Sequence, residues 1–195
     1  MLVETFFAMI SRMKYINRWG LMNNKRTENL SEHSLETAVI AHALATIGNV
    51  RLGKNLDSDH IAVMALFHDC TEIITGDMPT PVKYYNDEIR RSYKEIEKIA
   101  AAELVSLLPD DMQSVYEPLL NEVGNDEYET KLVKAADKIA AYVKCVEEIR
   151  LGNDEFTKAK EANEKAIAAM NIPEADIFMR EFVPAYGLTL FEHSL

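Results

Sequence analysis

Four residues of ligand type stand out by their surroundings: His33, the adjacent pair His68 and Asp69, and Asp137. Imidazole nitrogens and carboxylate oxygens together suit a divalent metal, provided that the fold brings them to one point. Asp137 lies among Val133, Ala135, Ala136, Ile139 and Ala140, where a carboxylate is costly unless it is paired or holds a cation. The His68-Asp69 pair also emerges from apolar company, with Ala65, Leu66 and Phe67 before it and Ile73 after it. A His-Asp dipeptide alone is a weak signal, and the bland account of His33 is a satisfied histidine at a helix start. The other histidines serve as controls. His42 falls nine residues beyond His33, on the opposite helix face, and His60 two turns before His68, so both read as ordinary surface or core histidines and His193 as tail.

The stretch LFHDCTEIITGDMPTP, residues 66–81, adds two more carboxylates. Glu72 follows Asp69 by three and His68 by four, which predicts the same helix face one turn on. It can face such a site without being a ligand; the plain alternative is a solvated glutamate at a helix end. Asp77 follows Gly76 in a loop stiffened by Pro79 and Pro81, where a turn aspartate is the ordinary reading.

Helices must position these groups. Helical patterns cover roughly 3–16, 32–48, 58–74, 87–108, 127–150, 154–170 and 174–182, punctuated by Gly76, Pro79, Pro81, Pro109, Gly152 and Pro173. In the second, Leu35, Val39, Ala43 and Ile47 recur at fours and predict one buried stripe, with Ser31 as N-cap and Gly48 near the stop. Nothing alternates long enough to predict a strand. The expectation is an all-α bundle of about six or seven helices, a single domain over 1–195 in which three different helices carry the ligand-type residues to one interior point.

With 48% hydrophobic and 27% charged residues, the composition is that of a globular protein with its own core, and no apolar run approaches a bilayer span. The opening MLVETFFAMISRMK lacks a basic segment before an apolar core and a small-residue cleavage site, so we expect no secretion signal and a cytoplasmic location. Cys70 and Cys145 form no CxxC and read as buried thiols. The net charge of −11 disfavours a nucleic-acid polymer as partner. Residues 1–30 nevertheless hold Arg12, Lys14, Arg18, Lys25 and Arg26 against Glu4 and Glu28, a net of +3 that leaves −14 elsewhere. A small basic patch on an acidic protein suits a small anion.

The ordered pattern H…HD…D, together with INRWGLMNNKRTENLSEHS (16–34), HDCTEIITGDMPTPVKYYN (68–86) and LVKAADKIAAYVKCVEEIRLGN (132–153), resembles the HD-domain superfamily of metal-dependent phosphohydrolases. More narrowly, it is similar to its bacterial 5′-deoxynucleotidases of the YfbR type, over essentially the whole chain. The resemblance implies an HD-domain helical bundle, a homodimer, and one six-coordinate divalent metal held by His33, His68, Asp69 and Asp137. The donor set suits Co, Mn, Fe or Zn better than calcium or a cysteine-type zinc site. It further implies a catalytic acid/base role for Glu72, a catalytic role for Asp77 and a phosphate clamp in Arg18; between the two carboxylates we assign water activation to Glu72 and the leaving 5′-oxygen to Asp77. Trp19 would wall the sugar, the segment Asp77, Met78, Pro79, Thr80 would contact the nucleotide, and His33, Asp69 and Asp137 would also face the substrate. For Arg18-Trp19 the bland account is a packing corner. Lys25, Arg26 and Lys83 are lesser candidates. The implied substrate is a deoxyribonucleoside 5′-monophosphate; the alternatives are a triphosphate, a cyclic dinucleotide or an alarmone, or a nucleotide-binding module without turnover.

Overall fold

The computed structural model describes residues 4–83, 85–121 and 125–192, so His193 lies outside the described residues. Ten α-helices are described: α1 (Phe6–Ile10), α2 (Leu30–Leu52), α3 (Ser58–Phe67), α4 (Glu72–Thr75), α5 (Thr80–Lys83), α6 (Asp87–Val105), α7 (Asp110–Asn121), α8 (Glu127–Arg150), α9 (Thr157–Ala169) and α10 (Pro173–Glu181). Seven of them run to nine residues or more. Among the described residues no strand is formed, only an isolated antiparallel bridge between Asn17 and Asn29. No described helix is long and apolar enough to cross a membrane.

By packing, the described residues fall into two compact units. The first comprises Met1–Met22, Thr27–Ser34 and Leu66–Asn125. Its core gathers Phe6, Met13, Leu30, Cys70, Ala101, Leu104, Val105, Leu108 and Leu120, with Phe6 and Tyr116 meeting edge to face at 5.2 Å. The second comprises Asn23–Arg26, Leu35–Ala65 and Asp126–Leu195, and there α8 packs on α9 and α10. Its α8 buries Leu132, Val133, Ala135, Ala136, Ile139, Ala140 and Val143.

Several local expectations need correction. The cap of α2 is Asn29, whose Oδ1 accepts from the Glu32 N–H at 3.1 Å while the Glu32 carboxylate reaches back to the Asn29 N–H, so Ser31 already lies inside the helix. Gly48 is no stop either. The helix runs on to Leu52 and ends at Gly53, whose φ of +67° is the left-handed conformation that glycine tolerates. A Cβ on Gly48 would stand 2.7 Å from Glu174 Oε1 and 2.8 Å from Leu56 Cδ1, so glycine there serves close approach.

The expected buried stripe of α2 is also rotated. Leu35 and Val39 are each 61% exposed; of the expected stripe Ile47 is buried, and with it His33, Thr37, Ile40 and Leu44. The buried stripe alternates steps of four and three where the expected one ran by fours, and the polar His33 and Thr37 concealed it. Helix α7 was not expected at all: Pro109 read as punctuation and no periodic pattern was recognised beyond it, yet a helix follows, with Pro118 inside it. Met112, Tyr116 and Leu119 nevertheless lie one helical turn apart along α7 and pack on the first core.

Candidate metal centre and its surroundings

The expected helix over 58–74 breaks after Phe67, and the break shapes the site. Residues 68–71 form a turn, with Cys70 N–H donating to Phe67 O at 3.0 Å and Glu72 N–H to Asp69 O at 3.0 Å, before α4 begins. Glu72 is therefore not on one continuous helix with His68 and Asp69, although the turn keeps it three residues from Asp69. His33, in the first turns of α2, is fully buried.

These elements bring His33 Nε2 to 3.6 Å and His68 Nε2 to 3.2 Å from the same Asp69 oxygen, Oδ2. Burial works to raise the pKa of Asp69. The attraction of His68, then of Arg18 and His33, prevails and holds it well below the usual carboxylate range. Asp137 is half-buried in α8 beside Lys138, whose Nζ lies 3.3 Å from Asp137 Oδ2. One ligand atom from each of His33, His68, Asp69 and Asp137 lies within 4.8 Å of the others. Two imidazoles and two carboxylates at such separations fit a divalent transition metal, and no cysteine takes part.

Around this cluster stand the other expected residues. Arg18 places a terminal guanidinium nitrogen 3.1 Å from Asp69 Oδ2. Trp19 adopts φ +60°, a conformation strained for a bulky side chain, and its backbone N–H donates to Asp77 Oδ2 at 3.2 Å. Glu72 is buried, and burial, with Asp69 and Asp77 nearby, pushes its pKa far above the usual value, so it carries a proton at neutral pH. Asp77 is shifted upward too, first by burial. Met78 and Pro79 are half-buried and Thr80 opens α5 at the surface.

The lesser candidates have other partners. Lys83 pairs with Glu97 at 2.9 Å and lies over the ring of Tyr93, whose hydroxyl meets Thr75 Oγ1 at 3.2 Å. Lys25 and Arg26 are exposed, and their backbone N–H groups donate to the two oxygens of Glu148 at 2.9 and 3.0 Å.

Two features escaped the reading of the sequence. Glu28 accepts from Trp19 Nε1 at 2.8 Å and from Arg18 Nε at 3.3 Å; it had been no more than one of two acidic residues in a basic segment. The tail of the third quoted motif, Lys144, Glu148 and Asn153, forms a buried polar network. There Lys144 also donates to Arg26 O, and Asn153 Nδ2 donates to Glu148 Oε2 and to Asn23 O at 2.7 Å each. The network fastens residues 23–26 to the end of α8.

The sequence pattern of the family described as 5′-deoxynucleotidase YfbR-like matches residues 5–186. The chain belongs to this YfbR-like family. A 5′-deoxynucleotidase of Erwinia tasmaniensis is 52% identical over 194 residues, spanning 100% of this chain and 98% of that protein. The 5′-deoxynucleotidase YfbR of Escherichia coli O127:H6 is 50% identical over 189 residues, 97% of this chain and 95% of its own. Among solved structures, an HD-domain phosphohydrolase of Listeria innocua superposes on this YfbR-like chain with a TM-score of 0.81 at 25% identity, covering 93% of this chain and 88% of that one. The cyanophage S-2L HD phosphohydrolase, solved with dA and one catalytic zinc ion, shares the fold at a TM-score of 0.68 and 19% identity, over 97% and 99%.

Proposed function

We propose that this chain is a metal-dependent 5′-nucleotidase that hydrolyses deoxyribonucleoside 5′-monophosphates to a deoxynucleoside and inorganic phosphate, with residues 1–195 acting as one HD domain. The observation that carries the reading is Arg18 at 3.1 Å from Asp69 Oδ2: a guanidinium, which binds phosphate oxygens, sits against a four-donor cluster. The names of the relatives, deoxynucleotidases at about 50% identity, support the substrate class.

In this reading His33, His68, Asp69 and Asp137 hold one divalent transition metal, cobalt, manganese, iron or zinc. Bound there, the cation would lower the pKa of a water and neutralise charge developing on phosphorus. The chain's own residues do the rest. Arg18 grips the phosphate oxygens and holds phosphorus in line for attack. The water oxygen bonds to phosphorus as the bond from phosphorus to O5′ breaks. Glu72 takes the proton of the attacking water, giving up its own proton more readily beside a divalent charge, and Asp77, whose pKa burial raises, delivers a proton to the leaving O5′. Asp77 through Thr80 line the nucleoside, and Trp19 stands against its sugar, where a wall without room for a 2′-hydroxyl selects deoxyribose.

The proposal extends to a cytoplasmic homodimer. The exposed apolar Leu35 and Val39 on one face of α2 support a second copy as partner, and light scattering of the purified chain tests it. The activity is tested by phosphate release over a panel of nucleotides with each of the four metals. Deoxynucleoside monophosphates should lead the panel; a triphosphate or cyclic dinucleotide as best substrate, or binding without turnover, would replace this reading.

A further inference from the structure

Glu28 belongs neither to the donor cluster nor to the carboxylates proposed for proton transfer, yet it is only 7% exposed. A carboxylate there needs donors to offset its lost hydration. Both donors come from the two residues given to phosphate and sugar: the single oxygen Oε2 accepts from Trp19 Nε1 at 2.8 Å and from Arg18 Nε at 3.3 Å. The backbone ties the same residues together. Arg18 N–H donates to Glu28 O at 2.9 Å, Leu30 N–H to Ile16 O at 3.0 Å, and Asn17 bridges to Asn29, so the loop from 17 to 29 is closed at its neck. Trp19, at φ +60°, persists only where its surroundings over-determine it. The Asp77 carboxylate fixes its backbone N–H and the Glu28 carboxylate fixes its indole N–H.

We infer that Glu28 is a positioning residue that sets the Arg18 guanidinium and the Trp19 indole in one relative geometry, and so couples the grip on phosphate to discrimination at the sugar 2′ position. Arg18 lies between two carboxylates, Glu28 on its Nε and Asp69 on a terminal nitrogen, which fixes the plane of the guanidinium fork as well as its position. The same Glu28 oxygen fixes the indole. A shift of one ring then misaligns the other, so clamping and selectivity should fail together. The catalytic half of this inference rests on the proposed deoxynucleotidase reading; the positional half does not.

The test is Glu28→Gln, which keeps the side-chain volume and one acceptor oxygen but loses the negative charge that both donors face. Trp19 is the only tryptophan, so its fluorescence reports the indole directly. In the purified full chain, folded by circular dichroism and with wild-type metal content, Glu28→Gln should raise acrylamide quenching of that fluorescence about twofold. It should also lower kcat/KM for dAMP roughly 10- to 100-fold, the scale of one hydrogen bond to a charged group, and bring the dAMP to AMP ratio down towards one. A merely structural role would lower stability and both activities in parallel, with the ratio unchanged, and would overturn the inference. So would unchanged quenching in the folded variant. A wild type without deoxynucleotide turnover, whose indole still loosens in Glu28→Gln, sinks the functional reading and leaves the positional role standing. Should the glutamine variant fail to fold, Glu28→Asp keeps the charge one methylene short and carries the same readouts.

Discussion

The Arg18 guanidinium stands 3.1 Å from Oδ2 of Asp69, the same oxygen that faces both His33 and His68. A planar fork can hold that carboxylate and a phosphate in defined directions; a lysine ammonium, compact and strongly hydrated, cannot reproduce the geometry. Arg18→Lys should therefore keep its metal by elemental analysis and lose about 10²-fold or more in kcat/KM for dAMP, the scale of removing one aligned donor. A fully active Arg18→Lys enzyme would remove Arg18 from the clamp.

Glu72 is held protonated by burial and by the neighbouring Asp69 and Asp77. A carboxyl whose folded pKa is raised costs stability increasingly as pH climbs above its unfolded value, here the ordinary 4.5. The neutral, isosteric Glu72→Gln should therefore melt no lower than wild type at pH 7 when both are metal-free, while turning over about 10²- to 10⁴-fold more slowly when metal is restored. Calorimetry and steady-state kinetics on one preparation check both halves. Wild-type turnover by Glu72→Gln would move water activation to Asp77.

The Lys144–Glu148 pair makes the opposite pH prediction. Its charged atoms lie 2.5 Å apart and the side chains are 3% and 0% exposed. Burial opposes ionisation of Glu148, but donors from Lys144, Lys25, Arg26 and Asn153 outweigh it and bring its pKa down to about 2. The stability that Glu148 contributes is fully present above the unfolded value of 4.5 and is lost as pH falls towards 2. Glu148→Gln strands the Lys144 ammonium and should cost about 3–5 kcal/mol at pH 7. In denaturant titrations the gap to wild type should narrow below pH 4.5; a gap independent of pH would show that the pair is not the cause.

Gly48 lies in the interior of α2, where alanine ordinarily adds about 1 kcal/mol of helix stability. Here the added methyl would meet Glu174 Oε1 and Leu56 Cδ1 within 2.8 Å, and Glu174 is pinned by Lys54 and Tyr128. Overpacking of this kind costs about 1–3 kcal/mol, so Gly48→Ala should be destabilising on balance. A raised melting temperature would mean that Glu174 can move aside.

The cluster of four candidate residues was legible because Asp137 and His68-Asp69 are polar residues in apolar company, a contrast that one chain displays by itself. The helical class was legible for the same reason, through periodicity. What stayed hidden depends on facts that periodicity does not carry. The buried face of α2 includes His33 and Thr37, which look like a solvent face until something binds or packs there. The break after Phe67 keeps His68, Asp69 and Glu72 close through a turn, where spacing alone predicted a continuous helix. Glu28, Lys144 and Glu148 are charged residues that would pass for solvated ones, and only their three-dimensional partners reveal them as buried. Helix α7 went unread although it tolerates Pro118 in its interior, because tertiary packing of Tyr116 and Leu120 outweighs one lost backbone hydrogen bond.

The central claim, a metal-dependent phosphatase selective for deoxyribose, is tested most directly by inorganic phosphate released from dAMP and AMP before chelation, after exhaustive chelation, and after a divalent transition metal is restored. The protein should strongly prefer dAMP, lose activity with the metal and recover it on the metal's return. Full-rate hydrolysis by the stripped protein, or AMP cleaved as readily as dAMP, would contradict the claim.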